Sequence, residues 1–148
     1  MNLGSVSAAL GVAVITWALW PWSLAALVPL VAEIVRTYSI PPRNVVGHSD
    51  VAPSRKEDPG ELFDWERLAR VGLAIPRPVK NLVDPGWGDA AFLLALERYG
   101  HGIADGPKAV IAFQRRFRPE NVDGVIDGQC RAILWSLLLE HEGGPAIG

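Results

Sequence analysis

Four side chains in one short polar stretch have the types to do chemistry together: His48, Asp50, Lys56 and Asp58. Imidazole and carboxylate are good zinc donors, and a catalytic zinc typically takes three protein ligands and leaves a fourth position to water. The intervening Ala52-Pro53 and Ser54-Arg55 turns let the end of the stretch fold back toward its start, so a His and an Asp ten positions later can meet on one ion. Lys56 would then lie where a negative tetrahedral oxygen forms, and a fixed cation stabilises such an oxyanion. As bare residue types the same group also fits a solvated charged loop.

The elements around this stretch read as mainly α. From Trp22 onward Leu24, Leu27, Val28, Val31, Ile34, Val35 and Tyr38 recur at three- and four-residue steps with Glu33, Arg36 and Thr37 off the stripe, which predicts an amphipathic helix over 22–38. Pro41-Pro42 stops it, and the β-branched run Asn44-Val45-Val46-Gly47 predicts one short buried strand leading into His48. Residues 48–60 read as a polar loop, after which Asp64 caps a short helix that buries Trp65, Leu68 and Val71. Pro76, Pro78 and Pro85 mark a linker at 76–87. The remainder predicts a helical bundle: a stripe of Phe92, Leu93, Leu96 and Tyr99; a helix opened by Asp105 and Pro107 that carries Val110, Phe113 and Phe117; and a helix opened by Asp127 that carries Ile133, Leu134, Leu137 and Leu138, reached through an Asp123-Gly124 turn.

Composition removes several function classes. With 148 residues the chain holds one ordinary domain or two small ones, and a large multidomain enzyme is excluded. A net charge of -2 offers no basic face for nucleic acid. The one basic knot, Arg115, Arg116 and Arg118, reads as a solvated helix end, and His101 and His141 as surface or helix-end residues. The single Cys130 precludes an intramolecular disulfide and, beside Ile133 and Leu134, reads as a core side chain. No charge precedes Glu33, and residues 8–31 are long enough to cross a bilayer; Pro21, Pro29 and the lack of a basic residue before Arg36 weigh against it, so membrane contact there is not favoured.

The string Gly47-His48-Ser49-Asp50-Val51-Ala52-Pro53-Ser54-Arg55-Lys56-Glu57-Asp58-Pro59-Gly60 closely resembles the second metal-binding segment of the zinc-dependent N-acetylmuramoyl-L-alanine amidases of the amidase-2 family, with pattern G-H-[SE]-D-x-A-P-x-R-K-x-D-P-G. The resemblance extends over Ile40–Val46 before it and Leu62-Phe63-x-Trp65-x-x-Leu68 after it. It implies that His48 and Asp58 bind Zn2+, that Lys56 is a catalytic residue stabilising the transition state, and that Asp50 and Arg55 shape the loop. The C-terminal half resembles a three-helix peptidoglycan-binding domain, on Leu96-x-x-Tyr99-Gly100, Ala109-Val110-Ile111-Ala112-Phe113-Gln114-x-x-Phe117-Arg118-Pro119-Glu120 and Val122-Asp123-Gly124-Val125-x-Asp127.

Together these resemblances imply a remnant of an α/β amidase domain followed by a small peptidoglycan-binding bundle. The expected division is an apolar segment at 1–21 without a recognisable counterpart in the family, a partial catalytic domain at 22–75, a linker at 76–87 and the binding domain at 88–141. The family's first zinc His and most of its sheet are expected in an N-terminal half that this chain lacks, since no His precedes His48. The implied activity is hydrolysis of the muramoyl-L-alanine amide bond, with peptidoglycan or muropeptides as partners and no nucleic acid. The alternative is a non-catalytic peptidoglycan-binding module carrying an amidase remnant. The implied location is the bacterial cell envelope or periplasm, with the cytoplasm as alternative; oligomeric state is open.

Overall fold

The structure, a computed structural model, describes residues 24–143, with side chains through Glu140. The chain divides into two compact units, Met1–Pro41 and Pro42–Gly148. In the first, helix α1 covers residues 24–38, as the stripe predicts; positions 22–23 and the apolar segment before them lie outside the described residues. An Arg36–Glu33 pair at 3.2 Å lies on its polar face. Its end is closed by Ser39 at a φ of 51° and by the Ile40 N–H donating to the Val35 carbonyl at 3.0 Å, after which Pro41 cannot continue the helix. None of the described helices is long and apolar enough to cross a membrane.

The second unit begins where a strand was expected. Pro42–Asn44 instead forms a 3-10 turn, with the Val45 N–H donating to the Pro42 carbonyl at 3.2 Å, and among the described residues no strand forms. The cause is pairing: a β-branched run becomes a strand only when a neighbour completes its ladder. Here the Val45 carbonyl accepts from the Arg116 guanidinium at 3.0 Å. Two short helices follow, α2 (His48–Val51) and α3 (Trp65–Arg70). Asp64 caps α3 by accepting from the Arg67 N–H at 2.9 Å, and Leu68 is buried, as expected, while Val71 is exposed.

The bundle consists of α4 (Asp89–Tyr99), α5 (Gly106–Phe117) and α6 (Gly128–Gly143). Its core is Phe92, Leu96, Val110, Phe113, Phe117, Cys130, Ile133, Leu134 and Leu137, with Phe92 and Phe113 edge to face at 5.7 Å. Burial pushes the Cys130 thiol up, so it packs as an inert apolar group. Asp105 accepts from the Lys108 N–H at 3.2 Å with Pro107 in the first turn, and Asp127 accepts from the Cys130 N–H at 2.8 Å. Gly100, at a φ of 114°, ends α4.

The stretch 76–87, expected as a linker, lies inside the second unit and is strapped to the bundle at both ends. Arg77 forks onto the Glu120 carboxylate with both distances at 2.6 Å. Asp84 does the same with Arg131 at 2.8 and 2.7 Å, and that hydrogen bonding holds its carboxyl down at about 2.

Two surface assignments are overturned. Arg116 and Arg118 are buried, ion-paired to Asp50 and to Asp123 and Asp127, and Arg115 lies between Glu57 and Glu61. His101 does follow a helix end, but it is 5% exposed and stacks on Tyr99. Arg116 is buried by a partner 66 positions away, Arg118 by Asp123 and Asp127 five and nine positions on, and His101 by Tyr99 and Phe113. The side chain of His141 lies outside the described set.

Candidate functional site

The loop is organised from Gly47 outward. A Cβ there would stand 2.6 Å from the Pro59 ring and 3.5 Å from Trp65, so only glycine lets the chain pass beneath the returning strand of the loop. The Gly47 N–H donates to Asp50 Oδ2 at 2.8 Å, which closes the first turn of α2 and fixes the direction in which His48 leaves it. The Ala52 N–H donates to the His48 carbonyl at 2.8 Å, and the Arg55 and Lys56 N–H groups both donate to the Ala52 carbonyl at 3.0 Å. These turns bring the chain back, and the Ser49 N–H donates to the Asp58 carbonyl at 3.0 Å.

The result is that His48 Nδ1 and Asp58 Oδ2 lie 2.6 Å apart, with side chains 74% and 59% exposed. Asp58 is held below the usual carboxylate range, first by its hydrogen bond to His48 and, more weakly, by the charges of His48 and Lys56. It is therefore an anion at neutral pH, the form a metal requires. Lys56 is exposed, on the same loop. Of the two residues expected to shape the loop, Asp50 is buried and does so; the Arg55 side chain is exposed and only its backbone N–H takes part.

The donor chemistry fits zinc in part. One imidazole and one carboxylate converge, accessible from solvent, but no group of three or more His, Cys, Asp or Glu that could hold a metal occurs among the described residues. Two donors are one short of a catalytic zinc shell.

Sequence reasoning missed the support beneath the loop. Asp50 Oδ2 receives Arg116 Nη1 at 2.6 Å, and the Arg116 guanidinium lies 4.0 Å above the Trp65 ring. The Gly102 N–H donates to the Asp50 carbonyl at 3.1 Å, and a Cβ on Gly102 would meet the Val51 carbonyl oxygen at 2.6 Å. Nothing local to Arg116 marks it out, because its partner lies 66 positions away. Beside these contacts Phe63, Trp65, Ile75, Arg77, Arg115 and Pro119 line a cleft of about 660 Å3.

Comparison with known proteins agrees with the loop. The profile of the N-acetylmuramoyl-L-alanine amidase family amidase-2 matches residues 5–61, a span that begins inside the apolar segment expected to have no counterpart. The N-acetylmuramoyl-L-alanine amidase AmiD of Escherichia coli K12 is 39% identical over 135 residues, covering 82% of this chain and 49% of AmiD. The 1,6-anhydro-N-acetylmuramyl-L-alanine amidase AmpD of Enterobacter cloacae is 46% identical over 42 residues, 28% of this chain. Among solved structures, the complex of E. coli AmiD with anhydro-N-acetylmuramic acid-L-Ala-D-gamma-Glu-L-Lys superposes with a TM-score of 0.70 at 34% identity, over 82% of this chain and 52% of that one. AmpDh3 from Pseudomonas aeruginosa gives 0.67 at 31% identity, over 81% of this chain and 53% of its own. The chain thus spans about half the length of AmiD and AmpDh3.

Proposed function

The chain belongs to the amidase-2 family, and on that premise we propose that it carries the zinc-holding and catalytic-lysine segment of an N-acetylmuramoyl-L-alanine amidase acting on peptidoglycan or muropeptides. The observation that carries the reading is the convergence of His48 and Asp58 at 2.6 Å on an exposed face of the loop. His48 and Asp58 would hold zinc, with a further donor from outside the described residues. When bound, zinc polarises an amide carbonyl and lowers the pKa of water. The work left to this chain is electrostatic. Asp58, a carboxylate held below its usual range, would meet the metal as an anion, and the Lys56 ammonium would stabilise negative charge developing on the amide oxygen of the substrate. A peptidoglycan-derived partner supports the cell envelope or periplasm as the location, with the cytoplasm as alternative.

The want of a third donor among the described residues favours a second reading, a non-catalytic module in which residues 88–141 bind peptidoglycan. The cleft of about 660 Å3 has the volume of a small-ligand site, with Arg115 and Pro119 of this module on one wall and Phe63, Trp65 and Ile75 on the other, while Arg77 and Arg115 are paired to Glu120 and to Glu57 and Glu61. Arg116 and Arg118, committed to internal ion pairs, take no part.

One experiment separates the readings: the chain alone, and the chain joined to the part of AmiD that it does not span, assayed for zinc content and for release of L-alanyl amino termini from muropeptides. The amidase reading expects activity in the joined protein that is lost on changing His48, Lys56 or Asp58 to Ala. Full turnover in Lys56→Ala, or retained zinc in Asp58→Ala, would overturn these assignments. Sedimentation with insoluble peptidoglycan and no activity in either form would establish the second reading.

A further inference from the structure

Between the metal loop and the bundle there is more bonding than two independent modules require. Besides the contacts of Asp50, Lys108 Nζ donates to the Ser54 carbonyl at 3.4 Å, and Arg115 reaches Glu57 at 3.5 Å and Glu61 at 3.4 Å. Those last groups are partly exposed and contribute little. Arg116 is different: its side chain and that of Asp50 are 5% and 4% exposed. Its guanidinium is turned toward the loop and its flanks, with Nη1 on the Asp50 carboxylate, Nη2 on the Val45 carbonyl and its face on Trp65, and only Nε is left without a partner.

The chain of contacts ends at the donor pair. Asp50 Oδ2 takes both Arg116 Nη1 and the Gly47 N–H, and Gly47 is the residue that launches His48. The Ser49 N–H then ties the same turn to the Asp58 carbonyl, so His48 and Asp58 are mounted on one frame. Without the guanidinium, the Asp50 carboxylate would be left buried with only the Gly47 N–H, and it would turn toward water, releasing Gly47.

We propose that Arg116 of α5 is a positioning residue for the His48–Asp58 pair, so that the helical bundle is a structural part of the amidase site as well as a binding module. This rests on the amidase reading for its consequence in catalysis, but the bracing itself stands on contacts present without metal. It also explains why the stretch 76–87 is strapped at both ends, since a free tether would let the brace swing away from its loop.

The test is run on the full chain without metal, by reading the His48 imidazole 15N chemical shifts, which report whether Nδ1 is held in a hydrogen bond. Arg116→Met should move these shifts toward those of a free imidazole, and Arg116→Lys, which keeps the charge and fewer donors, should move them part of the way. Arg118→Met is the control, since Arg118 is also fully buried and ion-paired but within the bundle. It should lower stability and leave His48 as it is. Should Arg116→Met fail to fold, the Lys variant decides. Wild-type His48 shifts in a folded Arg116 variant, or an equal change in Arg118→Met, would overturn the proposal. Titration with zinc alone then tests the consequence, a loss of about 10-fold or more in affinity in Arg116→Met, the range seen when groups that orient a ligand are removed. If the chain joined to the part of AmiD that it does not span takes up no zinc, the amidase reading falls, while the His48 shifts still decide the bracing.

Discussion

His48 and Asp58 meet at 2.6 Å with their side chains 74% and 59% exposed, whereas Arg118, fully buried, is enclosed between Asp123 and Asp127. In each a nitrogen base meets a carboxylate at hydrogen-bond distance, yet the settings differ. In the bundle, Asp123 is held below the usual carboxylate range by the Val125 N–H and by Gln114, and the Gln114 side-chain Oε1 accepts from the Gly124 N–H at 2.7 Å. Each polar atom there secures the turn between α5 and α6. On the loop, the hydrogen-bonding capacity of the pair faces solvent, where it can be exchanged for a ligand. Burial, more than residue type, separates the two settings: the enclosed Arg118 contacts hold a turn, and the exposed His48–Asp58 pair is the one open to a ligand.

The sharpest way to break the comparison is to remove the core that holds the bundle pair in place. Phe113 is fully buried and packs on Phe92, Phe117 and His101. Phe113→Ala should cost about 3–5 kcal/mol, measured by urea unfolding followed by circular dichroism. A loss below about 1 kcal/mol would mean that the core is not as packed as described.

Arg118→Met should come next. Its partners are 37% and 40% exposed and can rehydrate, so the loss is set by charged hydrogen bonds rather than by stranded charge and should be about 2–3 kcal/mol. The same unfolding measurement checks it, and a neutral result would erase the distinction drawn above.

A smaller effect is expected from acid. Burial lowers His101 from 6.5 to about 4, with Asp50 opposing and Arg116 adding to the shift. The unfolded chain therefore takes up a proton before the folded one does, and stability present above pH 6.5 is lost as the pH falls toward 4. Between pH 7 and pH 5 this amounts to about 2 kcal/mol. The checking measurement is the difference in that pH slope between the wild type and His101→Phe, and identical slopes would contradict a neutral buried His101.

The same contrast explains what could be read from the sequence. Asp64, Asp105, Asp127 and the left-handed Gly100 and Gly124 act on neighbours within a few residues, so the helices and turns they define were legible. The family string at 47–60 was legible because its polar residues lie at adjacent positions, and the family profile covers it. Val45-Val46 was misread because a strand is a property of two segments, and only one was in view. Arg116 reads as surface because its partner, Asp50, is 66 positions away, and Arg118 and His101 do so because their nearer partners, Asp123, Asp127 and Phe113, meet them only once the helices pack. The stretch 76–87 has the prolines of a linker, and nothing in its composition reveals that Glu120 and Arg131 will hold it.

The smallest effect on folding should come from the residues with the most chemistry. His48→Ala and Asp58→Ala remove a pair that is exposed on both sides, and such pairs contribute little because water replaces the lost contact at almost no cost. Their melting temperatures should therefore match the wild type within the scatter of repeat scans. Zinc uptake should fall in both, since each removes one of the donors on the loop, whereas Lys56→Ala should keep both its stability and its zinc. On the proposed roles the three variants divide the loop at constant fold: two would hold the ion, and the third would act only on a substrate. A large drop in melting temperature for His48→Ala would place the pair with Arg118 among the structural contacts. Equal zinc loss in Lys56→Ala would move Lys56 from acting on substrate to building the metal site.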